Sequence, residues 1–169
     1  IDAARVAHAP RPMSRDDQAL ARAAVTALRD ELRAYPKPGL VSPVDSGAHD
    51  DMDFDLMCRS ADSLLLPFAA IAAAGRAARR FEEALMPLGI EAERGMLAVT
   101  GGVNTHRGAI FSVGLMVAAL ARAQALALEV TTEAVRAVLK DTWGASLEAH
   151  AARDDEISHG AEVRRRTGR

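Results

Sequence analysis

The chain has 169 residues, of which 49% are hydrophobic and 26% are charged, and its formal net charge is −2. This length suits one domain with a real core, and the near-neutral charge provides no overall field that would attract nucleic acid or an acidic membrane. The single cysteine, Cys58, excludes a disulfide framework and a cysteine-rich zinc site. Aromatic residues reach only 4% while alanine is frequent, so the composition predicts an all-α, single-domain fold.

We predict a flexible N-terminal arm over residues 1–13 and one helical domain over residues 14–169. The arm lacks the apolar run of a signal peptide, and no stretch approaches the roughly 18 uninterrupted apolar residues that a membrane span needs. The cytoplasm is therefore the expected location. The first residue is Ile1 and the last segment is rich in arginine, so both ends look cut and the C-terminus is expected to be incomplete. This basic segment is interpreted as a solvated helix end, with phosphate contact as the alternative: Arg164, Arg165, Arg166 and Arg169.

The first predicted helix begins after Ser14, with Asp17 in the position of a capping-box acid, and runs to about Ala34. The prolines of residues 36–39 stop it. A polar loop over residues 40–47 leads to a second helix, which is predicted to begin near residues 48–51 and to continue to residues 64–66.

Pro67 is predicted to kink or break this second helix. Four further helices are predicted, over residues 68–85, 90–99, 106–128 and roughly 131–150. Pro87 with Gly89 ends the first of these four, and Asn104 or Thr105 caps the third. The short connections favour antiparallel neighbours in a multi-helix bundle.

The predicted inward stripe of the first helix consists of Leu20, Ala24, Ala27, Leu28 and Tyr35. Glu31 falls in the middle of that stripe, one turn before the proline loop. A carboxylate on a buried face is costly unless it is paired or bound to a metal. Glu31 is therefore a candidate functional residue, with a structural salt bridge or a partly exposed helix end as the alternative.

Lys37 stands between Pro36 and Pro38, close to Glu31 in the sequence. Most surface lysines make no specific contact. The stiff frame of two prolines nevertheless makes this cation a candidate for binding a phosphate.

A histidine and several acids open the second predicted helix. If that helix begins at His49, the imidazole and the carboxylates of Asp50 and Asp53 project together from its first turn, while Asp51 points the opposite way. Simple capping of the helix dipole explains one such acid. Clustered carboxylate oxygens suit Mg²⁺, which commonly bridges protein carboxylates to phosphate oxygens, so a divalent-metal site is predicted here.

His106 aligns with Ile110, Val113 and Val117 on the apolar face of the fifth predicted helix. It follows Gly101-Gly102, and a glycine-bearing turn before a helix is expected to offer free N–H groups to an anion. The turn is not a Walker motif, because the Gly-Lys-Ser/Thr ending is absent. A satisfied core histidine is the alternative interpretation of His106.

Three stretches together resemble the triphosphoribosyl-dephospho-CoA synthase family: residues 36–41 (Pro-Lys-Pro-Gly-Leu-Val), residues 45–53 (Asp-Ser-Gly-Ala-His-Asp-Asp-Met-Asp) and residues 101–111 (Gly-Gly-Val-Asn-Thr-His-Arg-Gly-Ala-Ile-Phe). The resemblance covers about residues 20–165. The sequence of residues 42–47 resembles the malonate decarboxylase branch more closely than the citrate lyase branch. Family chains continue past a Ser-His-Gly like that at residues 158–160, which adds to the expectation of a truncated C-terminus.

The resemblance implies an all-helical, Mg²⁺-dependent transferase that joins the ribose of ATP to the 2′-hydroxyl of 3′-dephospho-CoA and releases adenine. Its product is the precursor of the prosthetic group of an acyl carrier protein, which receives it through another enzyme. A homodimer is among the expected assemblies.

The reaction suggests roles for the residues singled out above. The attacking hydroxyl needs a base, for which Glu31, Asp45 or His49 is a candidate, and adenine leaves more easily if His106 or Asn104 donates to its ring. The predicted catalytic residues are Glu31, His49, Asp53 and His106. The predicted substrate- or phosphate-binding residues are Lys37, Asp45, Ser46, Gly102, Asn104, Thr105 and Arg107. The predicted ligands of Mg²⁺ are Asp50 and Asp53.

Two other functions remain open from the residues alone. In a helical ADP-ribosyl hydrolase-like enzyme, clustered aspartates would bind Mg²⁺ and water would attack the ribose. In a non-catalytic assembly factor for a decarboxylase complex, the acids would only cap helices.

Overall fold

A computed structural model describes residues 13–157, and the side chains of residues 13–152. Over these residues the chain forms α-helices and one π-helical turn, without a strand, so the all-α prediction is confirmed. The elements are α1 (Arg15–Arg33), α2 (Phe54–Ser63), α3 (Leu65–Arg76), the π-helical turn (Phe81–Leu85), α4 (Met86–Thr100), α5 (Arg107–Ala125) and α6 (Thr132–Ile157). The predicted arm up to residue 12, the Ser-His-Gly stretch at residues 158–160 and the arginine-rich segment lie outside the described residues.

Helices α3 and α5 form the centre of the bundle, and α1 packs against both. Small residues let the two central helices approach closely. A Cβ atom at Gly75 would collide with the backbone of Ala118, and Gly114 faces the side chain of Ile71. Phe68 fills the space beside this contact and is completely buried. The alanine-rich composition is therefore a packing requirement as well as a helix preference.

The start of α1 is as predicted. The Ser14 hydroxyl accepts a hydrogen bond from the Asp17 amide, and the Asp17 carboxylate accepts one from the Ser14 amide, which completes a capping box. Asp17 is also buried and accepts a hydrogen bond of 2.7 Å from Nε of Arg76 on α3. Burial alone raises the pKa of Asp17, but the hydrogen bonds from Arg76 and Ser14 outweigh it and hold the pKa below its ordinary value.

The inward face of α1 differs from the predicted stripe. Its buried residues are Asp17, Ala21, Ala24, Val25, Leu28 and Leu32. Ala27 is exposed, and Tyr35 lies beyond the end of the helix and is also exposed. The true face follows the spacing of the larger apolar residues up to Leu32, so Glu31 lies beside the buried face and not within it.

Several predicted helix boundaries are wrong because prolines were taken as helix ends. The break falls at Leu64, and Pro67 lies in the first turn of α3. Pro87 likewise lies in the first turn of α4. Proline is tolerated there because the first N–H groups of a helix have no intrahelical partner. The predicted helix over residues 68–85 is accordingly two elements, α3 and the π-helical turn.

The second helix begins at Phe54, later than predicted. Asp53 is its N-cap, and its Oδ1 accepts a hydrogen bond of 2.7 Å from the Leu56 amide. An aspartate that caps a helix stands outside the helical turns, so His49 and Asp50 do not project from a first turn.

Two helical stretches, Phe54–Arg76 and Arg107–Ala125, are long and apolar enough to cross a membrane by length and composition alone. Both contribute to the core described above, and buried core helices pass the same test. The stretches are therefore weak support for a membrane span.

Candidate active site

His106 is the N-cap residue of α5 and is only 5% exposed. Its Nδ1 lies 2.8 Å from Oγ of Ser60 on α2, a residue with no exposed surface. The Ser60 Oγ lies 2.5 Å from Oγ1 of Thr105, and the Thr105 hydroxyl donates to Sδ of Met96 on α4 over 3.1 Å. These four side chains form a continuous hydrogen-bonded series, called the hydroxyl chain below, that joins three helices behind the imidazole.

The electrostatic surroundings of His106 connect it with Glu31. Burial lowers the pKa of His106 below its ordinary value of 6.5, and the negative charge of Glu31 acts in the opposite direction. The lowered pKa favours the neutral imidazole at pH 7. Glu31 and His106, two of the predicted catalytic residues, are thus coupled through the charge of the carboxylate.

The other ring nitrogen distinguishes His106 from a fully satisfied core histidine. Nδ1 is bonded to Ser60, whereas no hydrogen bond reaches Nε2 from any residue between 13 and 152. A neutral imidazole with one bonded and one unbonded nitrogen can exchange a proton with a ligand.

Lys37 and Glu31 form a direct contact at the end of α1. Nζ of Lys37 lies 2.9 Å from Oε1 of Glu31 and 2.9 Å from its carbonyl oxygen. That carbonyl lies in the last turn of α1 and also accepts a hydrogen bond of 3.1 Å from the Ala34 amide. The salt bridge that was the alternative interpretation of Glu31 is therefore present, with Lys37 as the partner. The Glu31 side chain is still 57% exposed.

The loop after Lys37 is fixed by its own hydrogen bonds. Oγ of the buried Ser42 accepts from the amides of Val44 and Asp45, and Oδ1 of Asp45 accepts from the Gly47 amide over 2.8 Å. Gly47 has a φ of +60°, and a Cβ there would collide with the backbone of Gly39. The sequence of this loop therefore specifies one tight conformation.

The acidic stretch continues from that loop. The Ser46 carbonyl accepts a hydrogen bond from the His49 amide. Nδ1 of His49 lies 3.8 Å from Oδ1 of Asp51, the aspartate that was predicted to point away from it. Asp50 and Asp53 are exposed.

Among the side chains of residues 13–152, no three His, Cys, Asp or Glu residues come together as a group that could hold a metal ion. A site made only of protein ligands is therefore not formed by the described residues. One or two carboxylates suffice, however, for a Mg²⁺ ion that arrives on substrate phosphates, since Mg²⁺ usually keeps waters and phosphate oxygens as its other ligands. The exposed Asp50 and Asp53 fit that second arrangement.

The Gly101-Gly102 turn does not offer the free N–H groups that were predicted. Gly101 is the left-handed C-cap of α4, with a φ of +67°. Its amide and that of Gly102 both donate to the carbonyl of Leu97, the latter over 2.8 Å. The two glycines serve to end α4, as a C-terminal glycine commonly does.

The N–H groups available to an anion are instead those of the first turn of α5. The Arg107 amide donates to Oδ1 of Asn104, and the Ile110 amide donates to the His106 carbonyl. The amides of Gly108 and Ala109 lie between them, and N–H groups at these positions have no intrahelical partner. Asn104, which keeps its NH₂ group as a donor, stands beside them.

Arg107, the first residue of α5, contacts α4. Its Nε is 2.7 Å from Oε1 of Glu93 on α4, and its side chain is largely exposed. Arg107 and Glu93 line a cavity of about 350 Å³. Phe81, Ile110 and Phe111 make this cavity largely apolar.

The sequence predictions did not single out Ser60, Met96 or Glu93. The sequence does indicate a role for Ser60, because it is a polar residue on the same helical face as Met57 and Leu64. A hydroxyl buried on such a face needs a hydrogen-bond partner. Met96 and Glu93 have no such signal, because a methionine and a glutamate are ordinary on a helix.

Comparison with known proteins adds an independent observation. The sequence model of a protein family described as ATP:dephospho-CoA triphosphoribosyl transferase matches residues 17–169. No solved structure matches the chain significantly.

Curated relatives agree with that family. The chain is 45% identical over 153 residues to a protein of Stutzerimonas stutzeri, with 88% of this chain and 51% of the relative covered. It is 44% identical to a protein of Azotobacter vinelandii, with 96% of this chain and 55% of the relative covered. Both relatives bear the name probable 2-(5″-triphosphoribosyl)-3′-dephosphocoenzyme-A synthase. The chain thus spans about half the length of the curated relatives it matches.

Proposed function

Because the chain belongs to the ATP:dephospho-CoA triphosphoribosyl transferase family, we propose that it acts in transferring the triphosphoribosyl group of ATP to the 2′-hydroxyl of 3′-dephospho-CoA. A bond forms between the hydroxyl oxygen and C1′ of the ribose, and the bond from C1′ to N9 of adenine breaks. Its electron pair leaves with adenine, which takes up a proton equivalent to the one that the hydroxyl loses. The product is 2′-(5″-triphosphoribosyl)-3′-dephospho-CoA.

The observation that carries this proposal is the buried His106, whose Nδ1 is bonded to Ser60 and whose Nε2 has no hydrogen-bond partner among residues 13–152. Breaking a ribosyl–base bond builds positive charge at C1′, and a nearby carboxylate stabilises such charge, as in glycoside hydrolysis. Glu31 is exposed enough to reach a substrate, and the contact with Lys37 orients its carboxylate. The NH₂ group of Asn104 is a donor for the ring of the departing adenine.

The triphosphate is retained in this reaction, so the site has to hold three phosphates without cleaving them. Lys37 and the first-turn amides of α5 supply positive charge and N–H donors for this purpose. When it is bound, Mg²⁺ neutralises phosphate charge, and Asp50 and Asp53 are the residues that would hold it. Asp45, Ser46 and Arg107 are proposed as further substrate contacts.

The direct test is chromatographic detection of free adenine from Mg-ATP, with and without dephospho-CoA. We expect release only when dephospho-CoA is present, both for this chain and for the Azotobacter vinelandii relative assayed beside it. Release without dephospho-CoA, with turnover of ADP-ribose, would favour the hydrolase. If calorimetry detects no binding of Mg-ATP and no adenine appears, the assembly-factor function is favoured.

The setting of the reaction is proposed on the same basis. We place the chain in the cytoplasm, with a product that passes through another enzyme to the acyl carrier protein of malonate decarboxylase. A homodimer is the assembly we propose, and light scattering after size-exclusion chromatography tests it: the mass of one chain would contradict it.

A further inference from the structure

We infer that Ser60 is a positioning residue: together with Thr105 it holds His106 in the tautomer protonated on Nδ1, so that Nε2 faces the substrate as a proton acceptor. The tautomer of His106 does not depend on the reaction that the protein catalyses. The role of Nε2 as a proton acceptor rests on the proposed function.

The tautomer follows from a count of protons in the hydroxyl chain. Three contacts have to be filled, between His106 and Ser60, Ser60 and Thr105, and Thr105 and Met96. Each hydroxyl supplies one proton, and a thioether supplies none. The Thr105 proton therefore serves Met96, and the Ser60 proton serves Thr105. The contact between Ser60 and His106 is left to a proton carried by Nδ1.

The reverse order leaves one contact empty. If Thr105 donated to Ser60 and Ser60 donated to Nδ1, no proton would lie between Thr105 and Met96. Met96 and Ser60 are completely buried, so water does not replace the missing bond. With no proton between them, lone pairs of Thr105 Oγ1 and Met96 Sδ would face each other at 3.1 Å, which favours the order that ends at Nδ1–H.

The second nitrogen then has a lone pair and no protein partner among residues 13–152. A lone pair on Nε2 accepts a proton and cannot donate one. His106 is therefore the base for the 2′-hydroxyl, and Asn104 is the hydrogen-bond donor to adenine. When Nε2 takes the hydroxyl proton, the ring becomes a cation that the charge of Glu31 stabilises. The oxygen attacks C1′, adenine leaves with the electron pair of the C1′–N9 bond, and the imidazolium then releases its proton to balance the one adenine takes up.

Nitrogen NMR of the protein labelled with ¹⁵N-histidine measures the tautomer without any substrate. The His106 signals are assigned by their absence from His106→Gln. At a pH above 7 we expect Nδ1 to show the shift of a protonated ring nitrogen and Nε2 that of an unprotonated one. The opposite pattern in the wild-type protein would overturn the inference.

Two variants test whether the hydroxyl chain sets the tautomer. Ser60→Ala removes the acceptor of Nδ1–H, and Thr105→Val leaves the Ser60 proton with Nδ1 as its only acceptor. Both changes are expected to move the proton to Nε2. The matched control is Ser112→Ala on α5, whose exposed hydroxyl bonds to the Gly108 carbonyl and should leave the His106 signals unchanged. Wild-type signals in Thr105→Val would contradict the assignment even if Ser60→Ala did not fold.

The catalytic part is tested by adenine release. Ser60→Ala is expected to lower kcat by about 10-fold or more while the KM for ATP changes less than about twofold, since a lost proton acceptor affects the chemical step. An altered tautomer with full kcat would remove the positioning role and leave the transferase function intact. Absence of transfer in the wild-type protein would instead overturn the proposed function, and the NMR result would still decide the tautomer.

Discussion

Lys37 Nζ contacts Glu31 twice at 2.9 Å, once at the carboxylate and once at its backbone carbonyl in the last turn of α1. A cation and the carboxylate whose charge acts on His106 are thus fixed to the same helix end. The lysine side chain is 11% exposed, so the pair is shielded on one side only.

The first prediction concerns this pair. Lys37→Met should weaken binding of Mg-ATP about 10-fold in calorimetry, because a charge-assisted phosphate contact contributes on the order of 1.4 kcal/mol. The melting temperature should change little, since a pair with so exposed a partner stabilises the fold by about 1 kcal/mol or less. Lys140→Met on the exposed face of α6 is the control. Equal ATP binding by both variants would exclude Lys37 from the phosphate site.

A second prediction concerns the buried pair of Asp17 and Arg76. Asp17→Asn should lower the free energy of unfolding by about 1–3 kcal/mol, because a charged hydrogen bond is lost inside the bundle. Asp16→Asn, the exposed neighbour, should cost much less.

The pH dependence of this difference has a defined sign. The pKa of Asp17 is lower in the folded state than its ordinary value of 3.8, so its stabilisation is complete above about pH 3.8 and is lost as the pH falls through the folded-state pKa. Urea unfolding at several pH values should show the wild type and Asp17→Asn converging in acid. A difference that stays constant down to the lowest pH would be inconsistent with this.

The free energy of unfolding near neutral pH should depend on the protonation of His106. Its pKa in the folded state is below 6.5 because of burial, so the unfolded chain takes up a proton first as the pH falls. The contribution of neutral His106 to stability is therefore complete above pH 6.5 and is lost as the pH falls from there towards the folded-state pKa. Replacing it in His106→Gln should flatten this part of the curve of unfolding free energy against pH. Parallel curves for the two proteins would show that His106 does not titrate in this way.

The close contact between α3 and α5 gives a further prediction. Gly75→Ala should destabilise the fold by about 1–3 kcal/mol, because the added methyl group meets the Ala118 backbone. Gly95→Ala, in an open position on α4, should instead stabilise it by about 0.5–1 kcal/mol through helix propensity. Thermal unfolding of the two variants compares them directly, and an equal effect of both would contradict this packing.

The sequence predicted the all-α fold, the capping box at Ser14 and Asp17 and the nearness of Lys37 to Glu31, since all three depend on composition or on residues that are local in the chain. It failed at Pro67, because a proline ends one helix and begins another equally well. It also failed at Asp53, where capping placed the acid outside the helix. The hydroxyl chain could not be predicted, since it joins Ser60 to Thr105 and His106 across more than forty residues of sequence.

The most direct measurement is the rate of adenine release from Mg-ATP in the presence of dephospho-CoA, for the wild type and His106→Gln. We predict release that depends on dephospho-CoA and falls about 10²-fold or more in the variant, the range typical of a lost general base. Adenine release that does not need dephospho-CoA, or a variant as fast as the wild type, would contradict the role of His106 in this transfer.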